Sequence, residues 1–138
     1  MPKKPRPVIL DSWSVLAYLE DEPEGKQVAD IIIEAHEKGA PIMMTAVNIG
    51  ETWYIVARQT STHEADHLIA DLRQLGIEIK NVDWKLAREA ASFKAKVRMS
   101  FSDCFAAALA KESKGDLVTG DNEFRQVERE IRIIWLKQ

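Results

Sequence analysis

Leu117-Val118-Thr119-Gly120-Asp121 is a short apolar run that closes on an acid, and Val8-Ile9-Leu10-Asp11 does the same near the other end of the chain. A parallel α/β sheet places its ligands at the carboxyl ends of its strands. Asp11 and Asp121 are therefore candidates for one rim of one sheet. Between the two runs, short apolar stretches alternate with longer amphipathic ones, which is the pattern of an α/β fold with a parallel sheet. Residues 8–11 read as a first strand and 12–20 as a helix stopped by Glu20-Asp21-Glu22-Pro23-Glu24-Gly25. A second helix is expected over about residues 25–38, with Val28, Ile31, Ile32 and Ala35 as its buried stripe and Gly39 as its stop. Ile42-Met43-Met44 reads as a second strand, after which Thr45 caps a helix running to about residue 59. A further helix ends at Gly76, a third strand lies within Ile77 to Val82, and helices follow over 83–98 and 101–113. Residues 117–119 and 133–135 supply the fourth and fifth strands.

Two more acids, Glu51 and Asp103, fall near the starts of predicted helices. Taken singly, all four have structural readings. Asp11 and Asp121 can cap the helices that follow them, Ser100-Phe101-Ser102-Asp103 fits a capping box, and Glu51 can be a solvated helix residue. Taken together they are a set of oxygen ligands. Four carboxylates converge only around a cation, because their mutual repulsion in a partly desolvated site is severe. The donor set points to Mg²⁺, with Mn²⁺ as a substitute, and hence to phosphate chemistry. Asp11 and Asp103 are the expected inner ligands, with Glu51 and Asp121 completing the site directly or through water. Ser12, Ser14 and Thr119 lie along the same rim and are expected to orient the ligands from outside.

The chain has 138 residues, 46% hydrophobic and 30% charged, as expected of one soluble domain over residues 8–138. No apolar run approaches the roughly 20 residues of a membrane span. Residues 1–7 are basic, lack the apolar stretch of a signal peptide and read as a disordered lead-in. A single cysteine, Cys104, fits a reducing cytoplasm. The net charge of −3 excludes a generally basic nucleic-acid binder, so any nucleic-acid contact must be local. Lys94, Lys96 and Arg98 before Asp103, and Arg125 after Asp121, are the candidates for contact with nucleic-acid phosphates. They also fit solvated helix ends. Trp13 and Trp53 are expected in the core, with base stacking as the lesser reading.

The ordered set of motifs resembles the PIN-domain ribonucleases. Asp11-Ser12-Trp13-Ser14 and the helix after it are similar to that family's opening strand and helix. Thr45 through Glu51 resembles the strand end leading to the second acid, Ser100 through Ala110 the helix bearing the third, and Thr119-Gly120-Asp121-Asn122-Glu123-Phe124 the segment bearing the fourth. Where many relatives have a further Asp, this chain has Glu123. Size and spacing are most similar to the VapC-type toxins of toxin–antitoxin pairs. The resemblance implies three α/β/α layers with a parallel sheet of about five strands. It also implies Mg²⁺-dependent RNA cleavage, inhibition by a cognate antitoxin and a homodimer. The residues alone leave open another Mg²⁺-dependent phosphohydrolase, a DNA-directed nuclease or a binding module without catalysis.

One motif competes. His63-Glu64-Ala65-Asp66-His67 matches the zinc-protease pattern H-E-x-x-H. An α-helix turns by about 100° per residue. With Ala65 at zero, Leu68, Ile69, Leu72 and Leu75 lie within roughly 80°, whereas His63 and His67 lie roughly 160° away. Both histidines are expected to face solvent. His36, at a helix end, is expected at the surface.

Overall fold

Each of the short apolar runs forms a strand, and the amphipathic stretches form the crossovers that parallel neighbours require. The computed structural model describes residues 4–137. The strands are β1 (Val8–Leu10), β2 (Ile42–Thr45), β3 (Ile77–Lys80), β4 (Asp116–Thr119) and β5 (Arg132–Trp135). They form one sheet in the order β3-β2-β1-β4-β5, with every pairing parallel. The helices are α1 (Ser12–Leu19), α2 (Pro23–Lys38), α3 (Ala46–Gln59), α4 (Thr62–Gln74), α5 (Trp84–Lys96) and α6 (Phe101–Ser113), with a 3-10 helix (Asn122–Val127) between β4 and β5. The chain winds outward from β1 to β2 and β3, then returns to the other side of β1 for β4 and β5. The direction of winding reverses between β1 and β4, the switch point at which doubly wound sheets bind ligands.

Alternation along the strands divides the core in two. Ile9, Met43 and Leu117 meet α5, α6 and the 3-10 helix on one face. Val8, Leu10, Ile42, Met44 and Val118 meet α1 to α4 on the other. This is the expected three-layer α/β/α arrangement. Six consecutive small or apolar residues of α6, Phe105 to Ala110, are buried. Its alanines let the helix lie close against β1, β2 and β4.

Two boundaries differ from expectation. α2 begins at Pro23, inside the segment read as a stop. Proline at the first helical position is a start signal, since its missing N–H would be unsatisfied there anyway. Gly25 then allows α2 to press on α1, because a Cβ at that position would strike the carbonyl oxygen of Ala17. The lead-in also departs from expectation at its end. Residues 1–3 lie outside the described residues, but Arg6 donates to Asp116 at 2.7 Å and to the Gly115 carbonyl at 3.2 Å.

Candidate metal centre

The register of the sheet sets Asp11 and Thr119 side by side. Val8, Ile9 and Leu10 pair with Asp116, Leu117 and Val118, so the next residue on each strand is Asp11 and Thr119. The Thr119 hydroxyl donates to Asp11 Oδ2 at 2.6 Å, and the Ser14 backbone N–H donates to Asp11 Oδ1 at 2.8 Å. Asp11 therefore caps α1 as well as bonding Thr119. Its side chain is buried, and burial raises its carboxyl to about 6. The hydrogen bonds from Thr119 and Ser14 oppose that rise, and the charge of Asp121 adds to it.

The Thr119 hydroxyl also accepts the Asp121 backbone N–H at 3.1 Å, so one side chain ties both strand-end acids. Asp121 in turn caps the 3-10 helix by accepting the Glu123 N–H at 2.9 Å. Gly120 is needed between them, since a Cβ there would run into the Trp13 ring. Trp13 is partly buried and packs into the core, as expected. Trp53 is also partly buried, and its indole N–H donates to Asp66 at 2.9 Å.

Glu51 projects from α3 and is held by two neighbouring helices. The hydroxyl of Ser12 on α1 donates to one carboxylate oxygen, and that of Ser102 on α6 donates to the other at 2.8 Å. One turn earlier, buried Asn48 fixes the same junction. Its Nδ2 donates to the Ser102 carbonyl at 3.0 Å, and its Oδ1 accepts the Thr45 hydroxyl at 2.5 Å. Asn48 and Ser102 were not among the sequence candidates. The signal for Asn48 was its spacing, three residues after Thr45 and three before Glu51, which places all three on one helical face.

Asp103 lies in the first turn of α6, whose N-cap is Ser100, as the capping-box reading anticipated. Its carboxyl is raised to about 7, chiefly by burial. The Ser100 hydrogen bond opposes that rise, while Asp121, Asp11 and Glu51 add to it. The charges of Asp121, Asp11 and Glu51 thus act on Asp103, the fourth sequence-predicted acid. Among the described residues, however, no three His, Cys, Asp or Glu side chains are gathered into the grip of one ion. Hydroxyls satisfy the carboxylates of Glu51 and Asp11. The donors are all oxygens, which fits a hard cation in kind.

The basic candidates are mostly engaged elsewhere. Lys94 donates to the Met99 carbonyl at 2.6 Å and Lys96 to Glu130 at 2.9 Å. Arg125 stacks over the Trp135 ring at 4.6 Å and pairs with Glu128 at 3.6 Å. Arg98 is exposed, with its backbone bonded to Gln126. His63 and His67 lie on the exposed face of α4, opposite the buried Ala65, Leu68 and Leu72. His36 is exposed, and its Nε2 lies 2.7 Å from the Leu75 carbonyl.

The PIN domain family model matches residues 8–130. No curated protein sequence matches the chain. Among solved structures, VapC20 of Mycobacterium tuberculosis, described as a toxin that cleaves the sarcin–ricin loop, is similar with a TM-score of 0.67. It is 17% identical over 87% of this chain and 94% of that one. VapBC2 of Rickettsia felis, solved bound to a promoter DNA fragment, has a TM-score of 0.77 and 12% identity over 94% and 98% of the two chains. FitAcB of Neisseria gonorrhoeae has a TM-score of 0.67 and 21% identity over 92% and 96%.

Proposed function

Because the chain belongs to the PIN domain family, we propose that it is a Mg²⁺-dependent endoribonuclease and the toxin of a toxin–antitoxin pair. The observation that carries this reading is a set of four acids from two strand ends and two helices, in which Thr119 ties Asp11 to Asp121 and Glu51 is held between α1 and α6. Asp11, Glu51, Asp103 and Asp121 would hold the cation, with Mn²⁺ able to substitute. Such an ion polarises a phosphoryl oxygen and activates water for attack on phosphorus. Thr119 keeps the Asp11 carboxylate in one orientation, and Ser12 with Ser102 does the same for Glu51. All three histidines of the chain lie elsewhere, so proton transfer falls to carboxylates and water.

The similar solved structures support the toxin reading, since one is described as a toxin that cleaves the sarcin–ricin loop and another is VapBC2 bound to promoter DNA. On this reading the chain acts in the cytoplasm as a homodimer and is held inactive by a cognate antitoxin. Among the described residues, no helix is long and apolar enough to cross a membrane. Expression without the antitoxin is expected to arrest growth and leave discrete RNA fragments, with DNA intact. Asp11→Asn should relieve the arrest. A folded Asp11→Asn protein that stayed fully toxic would remove Asp11 from the site.

A further inference from the structure

Gln126 projects from the 3-10 helix and reaches the segment that leads into α6. Its Oε1 accepts the Arg98 backbone N–H at 2.9 Å, and its Nε2 donates to the Arg98 carbonyl at 3.2 Å. The same Nε2 lies 3.1 Å from both the carbonyl and the carboxylate of Glu123. A primary amide offers two N–H donors and one carbonyl acceptor. This side chain therefore directs its hydrogen-bonding capacity to Arg98 and Glu123.

Those two residues belong to the supports of two different acids. Arg98 lies in the short connection between α5 and α6, which ends at Ser100, the cap of the helix bearing Asp103. Glu123 lies in the turn whose cap is Asp121. The bond from Lys94 to Met99 steadies the α5–α6 connection from its own side but does not reach the Asp121 turn. Gln126 adds a polar tie between the two segments, beside the core cluster that Met99 shares with Phe124 and Val127.

We propose that Gln126 is a positioning residue that holds the start of the Asp103 helix against the Asp121 turn and keeps Glu123 engaged outside the acid set. The acids acting on Asp103 are Asp121, Asp11 and Glu51, which agrees with Glu123 standing apart. The consequence for cleavage rests on the ribonuclease reading. The consequence for cation binding and loop order does not.

Gln126 is exposed, so replacing it does not open the core. The test compares the wild type with Gln126→Ala and Gln126→Met. Methionine keeps most of the reach and bulk but lacks the amide. Calorimetry with Mn²⁺ alone should show affinity reduced by up to about 10-fold in both variants, the low end of the cost of losing a direct partner of a ligand, since Gln126 bonds no ligand itself. Amide exchange of residues 97–100 should accelerate while that of the strands stays unchanged. RNA turnover, kcat, should fall in both variants. Wild-type Mn²⁺ affinity in both variants would overturn the proposal, and a defect in Ala that Met restores would reduce Gln126 to a space filler. A wild type that binds Mn²⁺ but cleaves no RNA refutes the ribonuclease reading. Reduced Mn²⁺ affinity in the variants still upholds Gln126 in that case.

Discussion

Asp11 uses one carboxylate for two purposes, capping α1 with Oδ1 and facing Thr119 with Oδ2. Substituting it mixes folding with function. Asp103 is the cleaner probe, because Ser100 caps its helix. Asp103→Asn should abolish cleavage yet leave the metal-free melting temperature equal to or above that of the wild type, since it removes a charge that its neighbours oppose. A thermal melt in a chelator checks this, and a clear drop in melting temperature would mean that the carboxylate supports the fold. The pH dependence has a definite sign. Asp11 and Asp103 are held up at about 6 and about 7, from an ordinary 3.8. The native state therefore keeps protons that the unfolded chain has released. The stability linked to these two groups is fully present below the unfolded value and is lost as pH rises through the folded ones. Metal-free melting temperature should respond to this loss between about pH 4 and pH 7, and Asp103→Asn should reduce the response near the upper end. Cation binding should release protons in the same range, measurable by calorimetry in buffers of different ionisation enthalpy.

At the scale of elements, the junction of α1, α3 and α6 decides how Glu51 is presented. Asn48 joins α3 to α6 from a fully buried position. Asn48→Ala removes the side-chain bond to the Ser102 carbonyl and leaves the buried Thr45 O–H without its acceptor, at a cost of about 1–3 kcal/mol. Urea unfolding should show that loss, and a change below about 0.5 kcal/mol would demote the junction to surface-like behaviour. The α4 motif makes the opposite forecast. Its histidines lie on the exposed face of α4, away from the buried Ala65, Leu68 and Leu72, so the His63→Ala, His67→Ala double variant should keep both cleavage and melting temperature. Helix ends set by local chemistry were legible in the sequence. Thr45 and Ser100 cap the helices that follow them, and α2 stops at Gly39. The start of α2 was misread because Glu22-Pro23-Glu24-Gly25 carries both stop and start signals. The choice between them was made by α1, whose Ala17 and Tyr18 lie against Gly25.

For the whole molecule, winding order brings the carboxyl ends of β1 and β4 side by side. Asp11 and Asp121 were legible as strand-end acids because a parallel sheet has one functional rim. Their adjacency was not, since it depends on β4 pairing with β1 across the turning point of the sheet. The roles of the basic residues were hidden for the same reason. Lys96 finds Glu130 and Arg125 finds Trp135 only after the last strand is in place. Ser102 was hidden too, because its contact with Glu51 joins helices that are far apart in the chain. The most direct test of the four-carboxylate site is cleavage of total RNA by the purified protein. Parallel reactions would contain Mg²⁺, Mn²⁺ or excess chelator, with folded Asp103→Asn protein alongside. Cleavage should appear with either ion and vanish in chelator and in the variant. Undiminished cleavage in chelator, or by the folded variant, would contradict it.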